Sequence, residues 1–404
     1  MHARSDTTPP AHRFWLLAVL GAAVVAAGLG AAHYMEVEGH IVTGMNNHVV
    51  WGLPHVFAIF LIVAASGVLN VASIGSVFGQ APYKARAPLS ALLCIAMLAG
   101  GLMVLMLDLG RPERLIVAAT HYNFTSVFAW NVFLYTGMVA IAVIYLWTLM
   151  ERRMNPYSKP AGLAAFIWRL VLTTGTGSIF AFLVAREAYG SALLPPMFIL
   201  MSFAWGLAVF LLVQAAVYAW NGMTLPADTS RRMTRLLGVF VAATLYMMAA
   251  HHMVNLYFAR NVAFERFILV DGGVYPLLFW AGYVLVGSLA PLWLVYGRGR
   301  GGPRDSLIAG ALVIAGAFCA LYVFIIGGQA WPLDLFPGAE TSSTFFDGQV
   351  APYVPSLPEL ILGIGGVAAA FLVTLIGVRV LDFLPRDPSP AAAPSPSPAA
   401  AANH

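Results

Sequence analysis

The chain is dominated by apolar runs long enough to cross a bilayer. Ten can be counted, at roughly 14–34, 52–78, 88–108, 124–150, 163–187, 193–219, 234–257, 274–296, 306–328 and 358–381. A helix needs about 20 apolar residues to span a hydrocarbon core about 30 Å thick. None of the runs alternates apolar and polar residues with period 2, which argues against a membrane β-barrel. In lipid, every backbone N–H and C=O must be paired within the segment, and that leaves the α-helix. Composition closes the soluble alternative. Residues are 60% hydrophobic and only 9% charged, against about 25% charged in a soluble protein. The expected fold is all-α, a polytopic membrane bundle of about ten helices. The longest loop, 329–357, leaves no room for a soluble domain. The membrane domain is expected to fill 1–384, and the Pro/Ala/Ser-rich tail 385–404 is expected to be disordered.

Basic residues set the orientation. With the N-terminus in the cytoplasm, fifteen of the 21 Lys and Arg residues fall on the inner side. The outer loops keep only Arg111, Arg114, Arg260 and Arg266, while Arg169 and Arg186 fall inside apolar runs. This alternation predicts that both termini are cytoplasmic. The sequence pI near 9.1 therefore reflects membrane topology, and no nucleic-acid partner is expected. Arg13 and the apolar run after it resemble a signal peptide, but the run is long for one and is read as a retained helix.

One stretch stands out, VLMLDLGRPERLI at 104–116. Asp108, Arg111, Glu113 and Arg114 arrive together at the outer end of an apolar run. The plain reading is a helix stop: Gly110 ends the helix, Pro112 prevents its return, and the pairs Asp108–Arg111 and Glu113–Arg114 neutralise each other. Neutral residues would stop a helix more simply, so a site stands as an equal alternative. Histidines collect on the same side. His33, His40, His48, His55, His121, His251 and His252 all map to the outer half, seven of ten. His33, Glu36 and His40 would share one helix face by spacing if the first helix runs on. His251 and His252 lie within a run, with Asn255 one turn away. Each alone reads as a packing or interfacial residue; together they suggest an outer site that handles protons.

Absences narrow the chemistry. The two cysteines, Cys94 and Cys319, stand alone in separate runs, too few for an iron–sulfur cluster. There is no nucleotide-binding motif, no metal site is expected, and no Asp or Glu sits in the middle of a run. A greasy site with proton donors and acceptors fits quinone chemistry.

DLGRPER at a run's end, followed by HYNFTSVFAWNVFLY, resembles the NrfD family of polysulfide-reductase-type membrane subunits. IIGGQAWPLDLFPG and FFDGQVAPYVPSLPELILGIGG are similar to the last two helices of its ten-helix branch. That branch includes HybB-like hydrogenase subunits, alternative complex III subunits and DsrP of the DsrMKJOP complex, and the likeness is greatest to DsrP. The resemblance implies a multi-pass subunit of the bacterial inner membrane. It implies a quinone (menaquinone or ubiquinone) bound near the outer face, among the first helices. It implies electron exchange with a periplasmic ferredoxin-like iron–sulfur subunit, alongside other membrane and cytochrome subunits, in sulfur-compound metabolism. No haem or iron–sulfur cluster is expected in this chain.

With that resemblance, the candidate site residues take roles. Asp108 accepts a proton or hydrogen bond and Arg111 orients it. His55 touches the quinone, with His33 next. His121, Tyr122 and Asn123 close the pocket. Whether His251 and His252 face it stays open. The acidic loop carrying Trp331, Asp334, Glu340, Asp347 and Glu359 has no Lys or Arg. It either docks the partner or simply obeys the positive-inside rule. Proton passage through the bundle is not favoured, because hydroxyls such as Thr173 and Thr176 bond back to their own helices. Three other readings stay open. One is a b-type cytochrome, although adjacent His251 and His252 point about 100° apart on one helix. The others are a secondary transporter and a membrane anchor that binds no quinone.

Overall fold

A computed structural model describes residues 11–225, 227–297, 301–333 and 348–381. These residues are helical with no strand, and ten helices are long and apolar enough to cross a membrane. In chain order they are α1 (Ala11–Glu38), α2 (Leu53–Ser76), α3 (Ala87–Leu107), α4 (Val127–Met150) and α5 (Ser158–Ala181). The second half has α6 (Leu194–Trp220), α7 (Ala227–Tyr257), α8 (Val274–Tyr296), α9 (Pro303–Ala330) and α10 (Leu357–Val380). The expected all-α membrane bundle is what forms. The tail from 385 and the loop residues Asp334, Glu340 and Asp347 lie outside the described residues.

Proline enters several helices in the first turn, where no N–H is lost from the ladder: Pro54, Pro88, Pro195, Pro303 and Pro358. Ser126 caps α4 through the Ala129 N–H, and Ser356 with Glu359 forms a capping box on α10. α2 is the central helix, buried along nearly its whole length. It packs against α3, α5, α6 and α10. The α2–α6 contact is so close that a Cβ on Gly67 would overlap the Ser202 carbonyl oxygen, so only glycine fits. The second half packs α7 on α6 and α9 on both α6 and α8. α1 lies outside, against α10. Three wide-turned π segments fall in the second half, Phe267–Asp271 before α8, Leu278–Leu289 in α8 and Tyr322–Gly327 in α9.

The two arginines expected inside runs part company. Arg169 does sit within α5, 1% exposed, with its guanidinium over the rings of Phe166 (4.7 Å) and Phe203 (5.2 Å). Arg186 does not, because α5 stops at Ala181. Arg186 lies in the following loop, where its two terminal nitrogens donate to the carbonyls of Gln329 and His48, 2.9 Å each. A guanidinium that reaches one carbonyl at the end of α9 and another in the loop before α2 has no need of a place in the apolar core. Thr173 and Thr176 bond back to the Arg169 and Leu172 carbonyls of their own helix.

Candidate functional site

The charged quartet resolves into an inward and an outward part. Asp108 is the C-cap residue of α3. Gly110 then takes φ +69°, a left-handed conformation that reverses the chain, and a Cβ there would also lie 2.7 Å from His40 Nε2. The reversal turns Asp108 into the bundle, 5% exposed, and leaves Arg111, Glu113 and Arg114 exposed. Among the described residues no ion pair joins Asp108 to Arg111 or Glu113 to Arg114, so the expected mutual neutralisation is not made. Asp108 is paired across the bundle instead. His55 Nδ1 lies 2.6 Å from Asp108 Oδ2, with the carboxylate side chain 0% exposed and the imidazole 12%. The other carboxylate oxygen, Oδ1, is buried without a partner. Arg111 therefore does not orient Asp108; His55 does.

A carboxylate at a helix C-terminus faces the negative end of the dipole, which costs about 0.3–1 kcal/mol. Burying it costs more unless it is hydrogen-bonded. Helix termination thus gains nothing from an acid here, and the pairing with His55 is what retains it.

His55 lies in the first turn of α2, and distant residues clamp that turn. Trp51 stacks on the imidazole, ring centroids 5.8 Å apart and 22° from parallel. The Trp51 backbone is held by the buried Gln329 side chain from the end of α9. Its Oε1 accepts from the Val50 and Trp51 N–H groups, 3.0 Å each, and its Nε2 donates to the Trp51 carbonyl, 3.0 Å. The Leu53 N–H donates to Tyr353 Oη at 2.6 Å, and that hydroxyl donates to Glu359 Oε1 at 2.7 Å. Burial and the neighbouring Glu359 carboxylate push the Tyr353 phenol above its ordinary pKa, so it stays a donor. Glu359 Oε2 also accepts from the Gly44 and Ser356 N–H groups. Glu359 is 0% exposed and so is withdrawn from the docking role considered for its loop. Gln329 and Tyr353 carry no signal of their own in the sequence, although both lie in the stretches that carry the family resemblance.

The remaining candidates divide. His33 lines a small open cleft of about 90 Å³ with Leu29, Met35, Glu36 and His40 of the first segment. Its other wall is Leu107, Gly110 and Pro112, the residues on either side of Asp108. His40 Nδ1 is buried without a partner. His121, Tyr122 and Asn123 are not brought to the pair by any described contact. His121 is exposed and bonds Thr120, Tyr122 packs on Phe124, Trp130 and Phe133, and Asn123 folds its own turn through Thr125.

A second polar cluster lies in the other half. His252 Nδ1 is 2.6 Å from Glu265 Oε2, the carboxylate again 0% exposed and the imidazole 14%. Asn255 Nδ2 donates to Glu265 Oε1 at 2.7 Å and lies 3.3 Å from His251 Nε2. Glu265 belongs to a short helix, Val262–Arg266, after α7. In the sequence it stands only as one more outer acid, since a five-residue helix leaves no periodic signal. His251 and His252 therefore belong to a polar cluster of their own, with no described contact to the first pair.

These features define a ten-helix integral membrane protein with a buried imidazole–carboxylate pair near one face. The family model for polysulphide reductase, NrfD, matches residues 41–332, and the chain belongs to that family. It is 28% identical over 92% of its length to an Hdr-like menaquinol oxidoreductase integral membrane subunit of Archaeoglobus fulgidus, covering 94% of that protein. It is 22% identical to the integral membrane subunit of a menaquinone reductase of Nitratidesulfovibrio vulgaris, with 89% of each protein covered. One subunit of the polysulfide reductase of Wolinella succinogenes is 22% identical over 70% of this protein and 96% of its own length.

Proposed function

We propose that the chain is the quinone-interacting membrane subunit of a multi-subunit oxidoreductase, with the His55–Asp108 pair as its head-group site. The observation that carries this reading is the 2.6 Å bond between a carboxylate with no exposed side-chain surface and an imidazole that keeps 12% of its own. Two similar proteins named for menaquinol or menaquinone chemistry support it.

Asp108 Oδ2 takes the Nδ1 hydrogen of His55, which fixes the tautomer and leaves Nε2 as an acceptor. Trp51 fixes the ring plane. Asp108 Oδ1, buried and unpartnered, is a further acceptor for a hydroxyl. A quinol bound here gives up two electrons, to an iron–sulfur partner, and two protons. His55 takes one proton at Nε2 while Asp108 balances the charge, the pair releases it to the outer face, and the second proton follows by the same route. The cleft beside the pair is lined by neither His55 nor Asp108; its apolar wall of Leu29, Met35 and Leu107 suits an isoprenoid tail, with His33 and His40 at its polar edge.

In this reading both termini are cytoplasmic, the membrane is the bacterial inner membrane, and a periplasmic iron–sulfur subunit exchanges electrons on the outer side. The likeness to DsrP favours sulfur-compound metabolism. The test is quinol turnover of the assembled complex. Asp108→Asn and His55→Gln should each slow turnover roughly a hundredfold, the scale of lost acid–base catalysis, with normal assembly. Normal turnover per assembled complex in both variants would defeat the reading. A reducible Soret band in the isolated subunit would reassign the histidines to haem.

A further inference from the structure

The cluster around Glu265 has no part in the site just described, yet it repeats that site's chemistry. We propose that His252, Glu265, His251 and Asn255 form a second site for a hydroxylated aromatic head group, a hydroquinone. This rests on the reading that the protein handles quinols.

The geometry repeats the first pair. A fully buried carboxylate takes Nδ1 of an imidazole at 2.6 Å, and the imidazole side chain keeps 14% of its surface. His252 Nε2 is thereby left as the acceptor. An aromatic ring packs on the imidazole here too, Phe279 edge-on with centroids 4.8 Å apart.

A donor stands beside this acceptor. Asn255 Nδ2 has two hydrogens. One goes to Glu265 Oε1, and the other points toward His251 Nε2. That makes Nε2 of His251 the acceptor and Nδ1 the N–H. His251 is 3% exposed, and Nδ1 is buried without a partner. Leaving a buried donor unmade is unfavourable, and a ligand oxygen would satisfy it.

A purely structural role accounts poorly for the cluster. A buried carboxylate is ordinarily matched by a cation. The adjacent Arg266 turns away to Asp271, and Arg260 bonds Asn261. Asn261 in turn donates to Asn255 Oδ1 at 3.4 Å, so Arg260 reaches Glu265 only through two amides. Among the described residues no group of three metal ligands exists. The surface next to His252 is apolar and open, with Met253 62%, Leu256 46% and Trp280 52% exposed. A hydroquinone dissolved in the bilayer can approach from that side.

The test is photolabelling of the full complex with an azido-quinone probe, followed by peptide mapping. Two labelled regions are expected: residues 51–55 with 107–112, and residues 252–256 with 277–280. Both should be displaced by excess unreactive quinone. Glu265→Gln should reduce labelling of the second region at least tenfold and leave the first unchanged. Displaceable labelling of the first region alone in the wild-type complex overturns this inference and leaves the first site standing. Labelling of neither region overturns the underlying reading instead. Undiminished labelling of the second region in an assembled Glu265→Gln complex also overturns the inference. Should that variant fail to assemble, the wild-type map decides.

Discussion

The two halves of the bundle carry the same pair, an imidazole on a fully buried carboxylate at 2.6 Å, but they hold it differently. In the first half the carboxylate ends a long helix and keeps one oxygen unpartnered. The histidine beside it is clamped by Trp51, Gln329 and Tyr353, the last two coming from nearly three hundred residues away. In the second half both oxygens of Glu265 are taken, by His252 and Asn255. No distant residue clamps His252 through a described hydrogen bond, and the unmet atom belongs to His251. The first pair is a rigid imidazole with a spare acceptor on its carboxylate. The second is a saturated carboxylate with a spare donor on a neighbour.

Substitutions can break this contrast. The largest effect is expected at Asp108, where Asn keeps the shape but makes the wrong tautomer the favoured one, so quinol turnover should fall roughly a hundredfold in steady-state assays. The matching Glu265→Gln change should leave turnover at the first site within threefold. Equal losses would mean that the two pairs act as one unit. Next comes Gln329→Leu, which strands the Val50 and Trp51 N–H groups and the Trp51 carbonyl. Part-buried groups left unpaired cost up to about 1–3 kcal/mol each where water cannot replace the bond. The variant should melt lower by scanning calorimetry and show a raised KM with a smaller change in kcat, as expected if Trp51 positions His55 without touching the reacting atoms. Gly110→Ala should cost about 1–2 kcal/mol from the left-handed backbone, and the displaced His40 should be visible as weakened analogue binding. Arg111→Gln is the smallest. Exposed and unpaired with Asp108, it should shift stability by no more than about 0.5 kcal/mol and turnover by less than threefold.

Much of this was legible in the residues. Ten apolar runs define ten helices because lipid leaves the backbone no other partner. Asp108 and His55 stood out because charge at the outer end of an apolar run demands an explanation. What escaped has physical reasons. Arg111 is the nearest cation to Asp108 in sequence, but the left-handed turn at Gly110 sends the two side chains to opposite sides. Arg186 read as buried in a span because the residues around it are apolar, whereas its helix had already ended. Gln329 acts across the bundle on a segment far off in the chain, and Glu265 sits on a five-residue helix; spacing carries no trace of either contact. Glu359 looked like part of an acidic docking surface, yet the capping box turned it inward.

The most direct measurement is an equilibrium titration of the purified complex with an unreactive hydroquinone analogue, comparing wild type with Asp108→Asn. A lost hydrogen bond to a charged group is worth about 1.5–3 kcal/mol, so affinity at the first site should fall roughly ten- to a hundredfold while the complex stays assembled. Unchanged affinity in the assembled variant would contradict the account and reduce the buried pair to a structural tie between α2 and α3.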